Sequence, residues 1–171
     1  MRKAFGYLSG IHARGGWIGL TVSGRVGPDG QASLGTGIGL IIVERFSDLP
    51  RKLGDAILSG GHHAYVWPEY KIMTIPFSWE SSGACVRELI EQSGREVLQL
   101  LDEHKIAALY VPESCYGGAG AACVESSLAG LWDDRVLYLV SPDRRDHVIP
   151  ENCPIACPYN DREQVLKRLN P

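Results

Sequence analysis

Two glycine-rich stretches carry the residue types and spacing best suited to chemistry in this chain: Gly35-Thr36-Gly37-Ile38-Gly39 and Ser114-Cys115-Tyr116-Gly117-Gly118-Ala119-Gly120. A loop that leaves a strand and feeds a helix directs unpaired backbone N–H groups, and the positive end of the helix dipole, at one spot. That spot suits an anion, and glycine lets the backbone come within hydrogen-bond distance of a phosphate. A single loop of this kind is accounted for by a tight turn and close helix packing. Two of them, both at the carboxyl ends of strands, predict a diphosphate held between them. Neither stretch has the Gly-Lys-Ser/Thr ending of a P-loop, and there is no clean Gly-x-Gly-x-x-Gly with an acidic partner downstream. Hydrolysis of NTP on a P-loop and plain Rossmann NAD binding are therefore disfavoured. The expected ligand-binding residues are Gly35, Thr36, Gly37, Ile38, Ser114, Cys115, Tyr116, Gly117, Gly118, Ala119 and Gly120.

No catalytic side chain is identified. Cys115, in a loop before a helix, has the setting of an activated thiol, but no histidine is locally placed to activate it, and a small loop residue is the simpler role. Glu113 and Asp29 are candidate bases, yet a carboxylate beside bound phosphate is repelled by it, so both are expected to point away. Ser33 and Thr36 join Ser114, Cys115 and Tyr116 as polar groups able to face a sugar, and Tyr116 is the aromatic residue expected at the ligand. Metal binding is not expected. Cys153 and Cys157 are spaced unlike a zinc pair and lack a second pair, while His62-His63, beside Gly60-Gly61, reads as an exposed turn.

The elements that must hold these loops alternate between strand and helix periods, which predicts an α/β fold of three layers, with a mixed central sheet and helices on both faces. Strands are expected over residues 5–8, 17–22 (central in the sheet), around Val66, over 71–75, 107–111 and 136–140. Residues 23–34 read as loop. A helix is expected over 36–46, with Pro50 barring extension much beyond Asp48. A long helix capped by Ser81 or Ser82 runs to about His104, with Val86, Leu89, Ile90, Val97, Leu98 and Leu101 as its core stripe. Helices over 121–131 and 161–169 complete the pattern, and no repeat or linker divides residues 1–171, so one domain is expected.

Composition narrows the function classes. With 44% hydrophobic residues in 171, the chain can bury a core without staples. A net charge of -3 offers no broad cationic surface for a nucleic-acid backbone or anionic lipid, so neither a polymeric nucleic acid nor a membrane is an expected partner. No stretch approaches the roughly 20 apolar residues that span a bilayer, and the first residues do not read as a signal peptide. Together with five cysteines, an odd number in a chain that needs no disulfides, this predicts a reduced, cytoplasmic protein.

Some of these segments resemble a known family. The run Gly30-Gln-Ala-Ser-Leu-Gly-Thr-Gly-Ile-Gly-Leu-Ile-Ile-Val-Glu-Arg-Phe-Ser-Asp-Leu49 is similar to the first phosphate loop and following helix of bacterial and phage macro domains. Lys71-Ile-Met-Thr-Ile-Pro-Phe-Ser-Trp79 stands where those domains have a strand ending in a Pro-containing turn, and the long helix, the strand 107–111 and the second glycine loop follow in the family's order. The resemblance, as an order of elements, covers residues 17–140, and it implies a macro-domain fold that binds ADP-ribose or a related ADP-ribosyl nucleotide without a cofactor. Hydrolysis of an ADP-ribosyl bond is left open. Three departures bear on this. Leu8-Ser9-Gly10-Ile11 offers Ser9 where the family has an aspartate for adenine. Thr21-Val22-Ser23-Gly24 replaces an Asn-rich strand end. Pro76-Phe77-Ser78 lacks the lysine of the subgroup that removes ADP-ribose from nucleic acid. Two other readings stand beside this one. Pro112 to Glu125 is faintly similar to the loop and Glu-bearing helix of lysine-decarboxylase-like nucleotide phosphoribohydrolases, in which Glu125 would be catalytic. Alternatively, the same pocket would serve a non-enzymatic protein that sequesters a signalling nucleotide.

Overall fold

The apolar segment Trp17–Ser23 lies at the middle of the sheet, as its composition predicts. A computed structural model describes residues 2–5, 7–34, 38–78, 87–112 and 133–140. Within them the chain runs β1 (Arg2–Phe5), α1 (Leu8–Ala13), β2 (Trp17–Ser23), α2 (Ile38–Arg45), α3 (Leu49–Gly60), β3 (Tyr65–Trp67), β4 (Ile72–Ser78), α4 (Arg87–Glu103), β5 (Leu109–Pro112) and β6 (Val136–Val140). The sheet has six strands in the order β1-β6-β5-β2-β4-β3. All neighbours are parallel except β3, which forms an antiparallel hairpin with β4. The mixed sheet expected from the alternating pattern is therefore present, with an apolar cluster on each face. Leu8, Ile18, Leu20, Val22, Ile42, Leu49, Leu53 and Ile72 join α1, α2 and α3 to one face. Met73, Ile75, Phe77, Ile90, Val97, Leu101, Leu109 and Val111 join α4 to the other.

Several boundaries differ from the expectation. The first strand ends at Phe5, and Leu8 opens a helix instead of closing a strand. Pro50 does not simply end the helical region; it lies in the first turn of α3, where the missing N–H costs nothing. That helix buries Leu49, Leu53 and Ile57 at four-residue intervals. The strand expected over 107–111 begins at Leu109 and includes Pro112. Most consequential, Pro76, Phe77 and Ser78 are strand residues, not a turn. Pro76 is tolerated because β3 pairs with β4 only from Ile72 to Thr74, so β4 has no β3 partner at Pro76. The expected helices over 121–131 and 161–169 lie outside the described residues.

The loop between β2 and α2 is held by α3. Gly27 N–H donates to Gln31 O (2.8 Å), Asp29 Oδ1 accepts from Gln31 N–H (3.1 Å), and Ala32 N–H donates to Pro50 O (2.9 Å). Asp29 is thus a turn residue, and its carbonyl also accepts from Arg51. The helix can approach this closely because residue 54 is glycine: a Cβ there would overlap Gly30 O and lie 3.2 Å from Ala32 N. Gly54→Ala is accordingly expected to destabilise the protein by about 1–3 kcal/mol, since overpacking against fixed backbone outweighs the gain of up to about 1 kcal/mol in helix propensity. Urea unfolding checks this, and a variant as stable as the parent or more so would show that the loop yields.

The β3–β4 turn is tied to α1 and to the start of α3. His12 Nε2 lies 2.6 Å from Tyr70 O, and Lys52 Nζ contacts Tyr70 Oη (2.6 Å) and Glu69 Oε1 (3.0 Å). The Tyr70 hydroxyl, then Lys52, holds the Asp48 carboxyl below the usual carboxylate range. These charged groups are exposed, so they orient the turn more than they stabilise it.

Candidate functional site

Strand order sets the place where a ligand fits. The chain leaves β2 toward β4 and leaves β5 toward β6, although β2 and β5 are neighbours, paired at Trp17↔Leu109 and Ile18↔Tyr110. The two connections therefore diverge, which is the arrangement at whose strand ends open α/β sheets bind their ligands. The segment after β2 leads to α2 through residues 35–37, and the segment after β5 starts at residue 113. Both glycine stretches thus belong, by sequence, to connections that follow two neighbouring strands.

β2 ends at Ser23. Val22 pairs with Pro76, but Ser23 pairs with Ser78, leaving Phe77 as an extra residue in β4. Irregular pairing of this kind re-aims side chains at strand ends. Ser23 is only 6% exposed, and its hydroxyl has no hydrogen-bond partner among the described residues. Burying an unsatisfied hydroxyl costs on the order of 1–3 kcal/mol, so its persistence at a strand end asks for a reason.

The next residue, Gly24, is covered by His62, which reaches over from the α3–β3 connection. A Cβ at position 24 would overlap the imidazole at Nδ1 and Cε1. The backbone carrying His62 is fixed on several sides. Gly61 N–H donates to Ile57 O (2.9 Å), and the Tyr65 hydroxyl lies between the carbonyls of Ala56 (2.9 Å) and Gly61 (2.8 Å). From α4, Gln92 Nε2 donates to His62 O (3.4 Å), while Glu96 accepts from Ala64 N–H (2.8 Å) and from the His63 ring (2.7 Å). Burial, with a smaller contribution from His63, pushes the His62 pKa below its ordinary value, so the imidazole is neutral at neutral pH.

The same arrangement of sheet and helices occurs in solved structures. The macrodomain of Thermus aquaticus DarG matches with a TM-score of 0.61 at 16% identity, over 82% of this chain and 97% of that one. The chain has the macrodomain fold. The macrodomain of Mycobacterium tuberculosis DarG matches at a TM-score of 0.56 and 19% identity, over 80% of this chain and 97% of that one. Thermosipho africanus DarTG in complex with ADP-ribose matches at 0.56 and 15% identity, over 72% of this chain and 37% of that one. No protein-family model and no curated sequence matches.

Of the residues expected to bind ligand in this macrodomain fold, Ile38 alone is described. It opens α2 with its side chain packed against the core. Gly35, Thr36, Gly37, Ser114, Cys115, Tyr116, Gly117, Gly118, Ala119 and Gly120 lie outside the described residues, as do Glu113 and Glu125. Gly39 is a packing residue, since a Cβ there would overlap Leu34 O. Ser33 is exposed. Ser9, in α1, is half-buried.

Two polar residues beside the end of β2 escaped the sequence reading. In Thr21-Val22-Ser23-Gly24, which replaces an Asn-rich strand end, Ser23 brings a buried hydroxyl to the strand end. His62 and His63 do occupy a turn, but His62 is half-buried against Gly24 and only His63 is exposed. The Ser-Gly pair closing an apolar strand was the signal for the first. Nothing local marks His62, because its neighbour is 38 positions away in sequence. Among the described residues no group of histidine, cysteine and carboxylate side chains is arranged to hold a metal, and no helix is long and apolar enough to cross a membrane.

Proposed function

We propose that this macrodomain-fold chain binds ADP-ribose or a close ADP-ribosyl relative, with the diphosphate held by backbone amides of residues 35–37 and 117–120 and with Ile38 at the head of α2. The observation that supports this is the divergence of the β2 and β5 connections, each of which carries one of the glycine stretches in sequence. A net charge of -3 does not oppose it, because amides at a loop and helix start need no cationic surface. That one structurally similar protein was solved in complex with ADP-ribose supports the choice of ligand. Binding is the function proposed. Turnover of an ADP-ribosyl bond needs an acid, a base or a nucleophile at the sugar, and Ser78 stands where the subgroup acting on nucleic acid carries lysine.

Thermal unfolding with ADP-ribose, AMP, NAD and ATP tests the reading. A ligand bound only by the folded state at 100 times its Kd adds about 2.7 kcal/mol, which in a domain of this size raises the Tm by roughly 5–10 °C. ADP-ribose is expected to give such a rise and ATP a smaller one. No rise with ADP-ribose, or a larger rise with ATP, would remove the proposal.

A further inference from the structure

We draw no further inference here: the strongest candidate, the surface patch beside the β3–β4 turn in which Arg45 lies over the Phe46 ring and Lys52 over the Tyr70 ring, carries nothing, because Asp48 and Glu69 offset its cations and nothing among the described residues shows what covers it.

Discussion

Phe77→Ala is expected to lower the stability of the protein by roughly 3–5 kcal/mol, the usual cost of removing a buried phenylalanine and leaving a cavity. The sequence alone places Phe77 in a turn between Pro76 and Ser78, where truncation falls within about 0.5 kcal/mol of neutral. The structure makes it the extra residue of β4, 1% exposed, in the cluster that includes Ile75, Ile90 and Val111. The two placements differ by several kcal/mol, far beyond the error of a urea titration. A midpoint unchanged in the variant would return Phe77 to a turn. A large loss with an unchanged slope in denaturant would confirm a buried ring in an otherwise two-state protein.

Legibility of the fold followed the strength of local periodicity. Elements with a full apolar stripe were read best. The helix α4 ends at Glu103, close to the expected His104, and Leu89, Ile90, Val97 and Leu101 face the core. The expected cap at Ser81 or Ser82 and Val86 lie outside the described residues. Strands β2 and β6 begin where their apolar runs begin. Short elements were lost to ambiguous chemistry. Six residues of α1 with Gly10 among them carry too little period to announce a helix. Pro50 was taken as a stop for one helix when it also starts another, because proline is tolerated in a first turn and excluded from an interior. Pro76 misled for a related reason: whether it breaks a strand depends on where the neighbouring strand ends, and that is a fact of tertiary pairing.

The site divides along the same line. Glycine-rich turns are local and can be found by inspection, whereas the contact of His62 with Gly24 exists only once α3 and the β3–β4 hairpin have packed beside β2. A histidine in a Gly-Gly-His-His sequence carries no mark of burial, because the desolvation that depresses its pKa is supplied by residues distant in the chain. The Ser23 hydroxyl was visible in the sequence but was weighed only as a missing asparagine. Its burial gives it significance, since the same group exposed to water would cost nothing.

Gly37→Glu and Gly118→Glu are each expected to weaken ADP-ribose binding by more than about a hundredfold while leaving the fold in place. Both glycines lie outside the described residues, so the expectation follows from the proposed function, which is supported by a strand order in which their connections follow neighbouring strands. Glutamate does two things in such a loop. Its side chain occupies the space through which a phosphate must approach the amides, and its charge opposes the diphosphate at short range. At about 4 Å and an effective dielectric constant near 20, two like unit charges repel by about 4 kcal/mol, roughly a thousandfold in affinity before screening. Screening by salt reduces this, but the steric loss remains. Serine substitutions at the same positions separate the two terms, because serine adds bulk without charge and should cost less than glutamate. Calorimetry on the four variants, with circular dichroism to verify the fold, distinguishes three results. Loss with both glutamates supports a diphosphate between the two connections. Loss at Gly37 alone would confine the anion to the head of α2. Unchanged affinity in both glutamate variants would place the ligand elsewhere and withdraw the assignment of the glycine loops.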